Sequence, residues 1–428
     1  MTNVRRAAIR ISGNRLQPVM TAPALAILLW LTILAPCVAQ AQFSVIHTFS
    51  GSDGRYPYAG LTIDRRGNLY GTTEYGGAAD RGVVFELTSA ASGWTLTPLY
   101  SFQAGNDGGY PYAGVALGPD GALYGTTTGG GGSGCGYGCG TIYRLTPPAS
   151  ACKTALCPWN ETVLYRFTGG ADGQYPCAGV VFDQAGNLYG TAIQGGTAGD
   201  GVVYELAHTQ GGWTQSVLYS FVGGNDGSSP YSGVTFDTAG NLYGTTIGGG
   251  PSGEGTLYEL TSSGSGWIET VLHSFTGGTD GGTPYGGVIF DSSGNLYGTA
   301  STGGSLPAGG TAFELSPAGG NWTFAVIYDF TQTNDGGEDP HDGFIMDSSG
   351  NLYANADAGG LPPENNGAVF ELTSSNGSWT YTSFHNFTGG NDGLDPFGPL
   401  VFDASGNLYG TARYAGANDD GVVFEVTP

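Results

Sequence analysis

The residues in this sequence that could do chemistry recur at intervals instead of gathering in one place. Asp53, Asp107, Asp172, Asp226, Asp280, Asp335 and Asp392 each precede a glycine. Carboxylates in equivalent loops could coordinate a hard cation such as Ca²⁺, which takes oxygen ligands. Asp-Gly also suits a tight turn whose carboxylate accepts backbone N–H bonds, and turn architecture is the stronger expectation. No contiguous D-x-D-x-D-G calcium loop occurs. A second set, Asp64, Asp183, Asp237, Asp291, Asp347 and Asp403, precedes a hairpin glycine and is broken by Gly118. A third, Glu86, Glu205, Glu259, Glu314, Glu371 and Glu425, has Arg144 in its second unit. One active site does not need so many copies, so these sets read as architecture.

Departures from the repetition are more informative. After a loop proline the units read Tyr58, Tyr112, Cys177, Tyr231, Tyr285, His341 and Phe397. Aromatic faces beside carboxylates suit a sugar ring, and wedging between units is the stronger structural role. The sixth unit departs most, with Glu338, Asp339, His341 and Asp342 in this loop and Ala354-Asn355 where the others have Gly-Thr. The candidate ligand set is therefore Tyr58, Tyr112, Tyr231, Tyr285, His341, Phe397 and Asp342. His341, with carboxylates nearby, resembles acid/base equipment only loosely. His47, His273 and His385 fall near positions that are Tyr elsewhere, and His208 falls in a hairpin turn. There is no nucleophile elbow, zinc-spaced His pair or phosphate loop; the glycine-rich stretch Thr128–Gly140 lacks the Lys-Ser/Thr that phosphate chemistry needs.

What must position these residues is a repeat. Gly-Asn-Leu-Tyr-Gly, or a close variant, begins at Gly67, Gly121, Gly186, Gly240, Gly294, Gly350 and Gly406. In the fourth unit Gly233–Asp237, Asn241–Thr246, Gly255–Thr261 and Trp267–Phe275 alternate apolar and polar residues between turn residues, which is the pattern of short strands. Four-stranded units of this length make propeller blades. The expected fold is all-β, a seven-bladed β-propeller of four-stranded antiparallel blades spanning 42–428. With 39% apolar and 12% aromatic residues, the 80 glycines read as turns in a packed protein instead of disorder.

The ends of the ring fix how it closes. Gln42–Phe49 matches a fourth strand, with Phe49 equivalent to Phe102, Phe167, Phe221, Phe275, Phe330 and Phe387, while Gly421–Pro428 matches a third. Pairing the two covers otherwise open edges. Trp94, Trp159, Trp213, Trp267, Trp322 and Trp379 start the fourth strands, where blade packing is their expected role.

Units of the form V-L-Y-S-F-x-G-G-x-D-G-x-x-P-Y-x-G-V-x-F-D-x-x-G-N-L-Y-G-T-T resemble the GloVer-type tandem repeats of bacterial choice-of-anchor proteins. More distantly, Gly287–Tyr297 is similar to NHL-type propeller repeats. The resemblance implies an exported repeat protein, often tethered by a C-terminal anchor, and no established activity. The sequence departs from that pattern in stopping at Pro428 without a sorting tail.

Residues 1–41 read as a signal peptide: Arg5, Arg6, Arg10 and Arg15, an apolar run from Ala24 to Ala35, then Ala39-Gln40-Ala41. The run is short for a membrane span, so cleavage after Ala41 is expected, with an uncleaved anchor as the alternative. Removing the four arginines leaves 8 Lys+Arg against 35 Asp+Glu, a net charge of 8 − 35 = −27. That field repels nucleic acid and anionic membranes. Among the cysteines, a strand separates Cys135 and Cys139 from Cys152 and Cys157 by about 20 Å at ~3.3 Å per residue. Cys152–Cys157 is expected as a local disulfide. Cys135 or Cys139 pairs with its neighbour or with Cys177, leaving one free thiol.

The function expected is a secreted, monomeric, non-catalytic propeller for recognition or surface structure, with polysaccharide or a cell-surface protein as partner and no required cofactor, Ca²⁺ being the candidate ion. The alternative is a carbohydrate lyase or hydrolase working at the channel mouth with His341 as base.

Overall fold

A computed structural model describes residues 41–132, 134–148, 159–264, 266–306, 309–331, 337–360 and 365–428. The expected signal segment up to residue 40, Cys152, Cys157 and Asp335 lie outside these. The described strands form seven four-stranded antiparallel sheets. The fold is a seven-bladed β-propeller. No helix among the described residues is long and apolar enough to cross a membrane.

The fourth blade comprises Thr235–Phe236, Leu242–Thr246, Thr256–Ser263 and Gly266–Ser274, in sheet order from channel to rim. Its inner strand is shorter than the run Gly233–Asp237 suggests. Just before it, the carbonyl of Ser232 is taken by the Thr191 hydroxyl of the preceding blade at 2.8 Å. The same bond recurs around the ring, from Thr72 to Ala113, Thr126 to Ala178, Thr245 to Gly286, Thr299 to Asp342 and Thr411 to Ala59. In the sixth blade Asn355 Nδ2 makes it to Gly398 at 2.9 Å. All these donors are buried, so each bond counts toward holding blade to blade.

Gln42–Thr48 pairs antiparallel with Val422–Thr427, from Gln42 opposite Thr427 to Thr48 opposite Val422. The N-terminal strand thus supplies the outer edge of the last blade. Blades then pack through two aromatic series. Each fourth-strand Phe meets the third-strand ring of the next blade, from Phe49–Phe85 at 5.3 Å and Phe102–Tyr143 at 5.1 Å to Phe387–Phe424 at 5.4 Å. Trp94, Trp159, Trp213, Trp322 and Trp379 each pack on the second-strand tyrosine of the blade before, as in Trp94–Tyr409, Trp159–Tyr70 and Trp322–Tyr243. The glycine of Gly-Thr has a packing reason: a Cβ on Gly244 would come within 2.4 Å of the Tyr258 hydroxyl.

Candidate functional site

The mouth of the channel is set by one unusual backbone position. The residue before each loop proline is left-handed: Tyr56, Tyr110, Tyr175, Ser229, Thr283, Asp339 and Asp395, with φ between 50° and 59°. A non-glycine residue there costs about 1–2 kcal/mol. Two backbone bonds hold it. Asp339 N–H donates to Gly309 of the preceding blade at 3.1 Å, and its carbonyl accepts Asp357 N–H at 3.2 Å. The second bond joins two variable columns in every blade: Tyr56 with Glu74, Tyr110 with Thr128, Tyr175 with Ile193, Ser229 with Ile247, Thr283 with Ser301, Asp339 with Asp357, and Asp395 with Arg413. Charge therefore falls on blades six, seven and one, and tyrosine on blades one to three. Sequence reasoning picked out Asp339 from the first column and missed the second, although the residue two places after each Gly-Thr pair carried the signal.

The expected ring does converge, and closes on itself. Centroids are 3.7 Å apart for Tyr58–Tyr112, 6.0 Å for Tyr112–Tyr231, 5.0 Å for Tyr231–Tyr285, 4.5 Å for Tyr285–His341, 4.8 Å for His341–Phe397 and 4.1 Å for Phe397–Tyr58. The Tyr58, Tyr112 and Tyr231 hydroxyls lie near enough to influence one another's ionisation. Burial pushes Tyr58 up to about 12 and raises Tyr112 and Tyr231 as well. These rings cap a channel of about 470 Å³ walled mainly by small residues and inner-strand backbone, with Cys177 and Asp342 in its lining.

On the charged side, His341 Nδ1 lies 3.0 Å from Asp357 Oδ2 and 3.7 Å from Asp339 Oδ1. Burial lowers the His341 pKa, but Asp357, Asp339 and Asp342 outweigh it and hold the imidazole above its ordinary value. Burial pushes Asp342 up to about 7. Arg413 stacks over Tyr58 at 4.4 Å and Tyr414 at 4.6 Å, and reaches Glu74 at 3.8 Å and Asp395 at 3.9 Å.

On the other side tyrosines gather outside the cap. Tyr56 meets Tyr75 and Tyr414, and Tyr75 meets Tyr110 at 5.4 Å. Glu74, Tyr75, Tyr110, Thr128, Gly129, Tyr137 and Tyr175 line a cavity of about 410 Å³. Tyr137 is 80% exposed and sits in a loop pinned by the Cys135–Cys139 disulfide. Of the pairings left open by the sequence, the neighbouring one is present, and Cys177 is a free thiol.

The Asp-Gly carboxylates stay in their own blades. Asp53, Asp107, Asp172, Asp280 and Asp392 use both oxygens within the turn and toward a fourth-strand ring, as Asp107 does with Gln103 N–H, Gly105 N–H and the Tyr100 hydroxyl. Asp226 accepts from Val222 N–H and the Tyr219 hydroxyl. His47, His273 and His385 hold the tyrosine's place in this bond. The hairpin series is likewise spent. Asp237 accepts Ala239 and Asn241 N–H, and Tyr243 bridges it to Glu259. Where Gly118 breaks that series, Asp120 takes over, bonding Ala122 N–H, Tyr124 and Arg144.

The family model for the Gloeobacter/Verrucomicrobia repeat matches residues 32–158, 156–305 and 236–428. No curated protein matches the sequence. Among solved structures, a polysaccharide lyase, PL25 ulvan lyase, is similar with a TM-score of 0.51 at 12% identity, over 88% of this chain and 94% of that one. PorZ, a bacterial surface component of the type-IX secretion system of Porphyromonas gingivalis, gives 0.50 at 14% identity over 89% of this chain and 47% of that one. A glucose dehydrogenase gives 0.44 at 14% identity over 90% and 99%. At these identities the likeness is one of fold.

Proposed function

We propose that this chain, which belongs to the Gloeobacter/Verrucomicrobia repeat family, is an exported, non-catalytic recognition propeller that binds polysaccharide on its mouth face. One observation carries the reading: Tyr75, Tyr110, Tyr137 and Tyr175 surround a cavity of about 410 Å³ beside Glu74. Sugar rings stack on aromatic faces, and a carboxylate accepts bonds from their hydroxyls. The rings of Tyr58, Tyr112, Tyr231, Tyr285 and Phe397 face one another, so their role in binding is to close the floor while the tyrosines outside them offer faces. The Asp-Gly loops among the described residues serve as turns, and Ca²⁺ is not required. Cleavage after Ala41 to give a monomeric extracellular or periplasmic protein fits the Cys135–Cys139 disulfide, which persists in oxidising compartments. Screening the purified protein against immobilised glycans tests the reading, and N-terminal sequencing of the exported protein tests the cleavage.

A second reading, a carbohydrate lyase or hydrolase, is favoured by His341, a candidate base whose Nδ1 lies 3.0 Å from an Asp357 carboxylate oxygen. Incubation with the glycans that bind would then release unsaturated or reducing ends, and His341→Asn would abolish the release. Binding without release leaves the recognition reading in place.

A further inference from the structure

The geometry points to a divalent transition-metal site formed by Asp339, His341 and Asp357, with Zn²⁺ as the ion its donors suit. Their donor atoms all lie within 4.8 Å of one another. A tetrahedral ion with bonds of about 2.0–2.1 Å places its ligands roughly 3.3–3.4 Å apart. The Nδ1 separations of 3.0 and 3.7 Å to the two carboxylates bracket that edge. The imidazole plane is fixed between Tyr285 and Phe397, at 4.5 and 4.8 Å. The backbones that carry the two carboxylates are joined by the bond from Asp357 N–H to the Asp339 carbonyl at 3.2 Å. A site whose ligands are held before binding loses little order on taking the ion.

A second, independent observation points to a missing cation. Asp342, next in the chain and only 7% exposed, has an Oδ2 with no hydrogen-bond partner, and Asp357 Oδ1 is likewise buried without one. Burying a carboxylate oxygen without a partner is costly. Arg413, the permanently charged side chain on this side of the mouth, is engaged by Glu74 and Asp395. A divalent ion on Asp339, His341 and Asp357 would balance this excess. An imidazole with two carboxylates suits Zn²⁺ or its neighbours, whereas Ca²⁺ prefers six or more oxygens. Three protein donors leave a fourth position open to water or a ligand oxygen. The proposal does not depend on whether polysaccharide binds.

The test uses the full exported protein dialysed against EDTA. Zn²⁺, and Co²⁺ as its coloured stand-in, are titrated in about 0.15 M salt with Ca²⁺ in excess to occupy surface carboxylates. One equivalent per chain is expected, with tetrahedral Co²⁺ absorption and a metal-induced shift of the His341 ring resonances. Asp357→Asn and His341→Ala should each weaken binding at least about 100-fold, and Asp80→Asn, an exposed carboxylate of blade one, should not. If His341→Ala fails to fold, Asp339→Asn and the ring resonances in the parent decide. Absence of saturable binding, binding unchanged in these variants, or an imidazole whose resonances ignore excess Zn²⁺ would overturn the site. Each would leave an ion-paired His–carboxylate cluster.

Discussion

Thr411 Oγ1 donates to the Ala59 carbonyl at 3.0 Å, joining residues 352 positions apart. This is the seam where the last blade meets the first. The pairing of Gln42–Thr48 with Val422–Thr427 completes the last blade beside it. Deleting residues 42–49 removes that strand together with Phe49, which is fully buried against Phe85. The truncated protein should aggregate or melt well below the parent. A thermal scan with an unchanged midpoint would mean that closure does not depend on this strand.

The cap and the tyrosine cavity separate under substitution. Tyr231 touches Tyr112 and Tyr285, so Tyr231→Ala should cost about 2–4 kcal/mol of stability. Tyr75→Ala, at the rim of the cavity, should cost less than about 1 kcal/mol. Denaturant titration of the two variants reads this directly, and equal losses would erase the distinction between floor and binding face.

Glu161 and Glu269 give stability a pH dependence. Burial first, then Asp107 beside Glu161 and Asp226 beside Glu269, pushes each up to about 7 from an ordinary 4.5. A raised folded pKa favours the neutral acid, so this contribution is present below 4.5 and lost as pH rises through about 7. His273 and His385, held low chiefly by burial, act in the opposite sense, so variant and parent are compared at each pH. Glu161→Gln with Glu269→Gln should melt near the parent at pH 4.5 and above it at pH 8. A constant difference across that range would show that neither carboxyl titrates as described.

Sulfur offers a further check. Cys135 and Cys139 are four positions apart. So small a loop is worth about 2 kcal/mol in the chain-entropy account. Non-reduced peptide mapping should find them joined. Cys177, its thiol pushed up to about 12 by burial and then by Glu74, should react with iodoacetamide only after unfolding. Rapid native alkylation of Cys177 would contradict its place in the channel wall.

The fold was legible because its determinants repeat. Gly-Thr carries both the glycine that lets Tyr258 lie flat and the hydroxyl that ties Thr245 to Gly286, and each recurs wherever a blade meets the next. The sequence located the ring from Tyr58 to Phe397, but one residue per blade does not reveal that the rings meet within 3.7–6.0 Å. Glu74, Asp357 and Arg413 escaped notice because their column varies from Glu to Ile, and only the bond to the left-handed residue before proline shows that it faces the mouth. Asp120 was hidden in the same way, sitting two residues after the gap at Gly118.

The most direct measurement is glycan affinity by calorimetry in the parent and in a Tyr75→Ala, Tyr110→Ala, Tyr175→Ala variant. The account predicts that a polysaccharide found by screening binds the parent, and that the variant loses more than roughly tenfold, about 1.4 kcal/mol. The melting midpoint should stay nearly unchanged. Undiminished binding in the variant, or a parent that retains no polysaccharide in a broad screen, would contradict recognition at the tyrosine cavity.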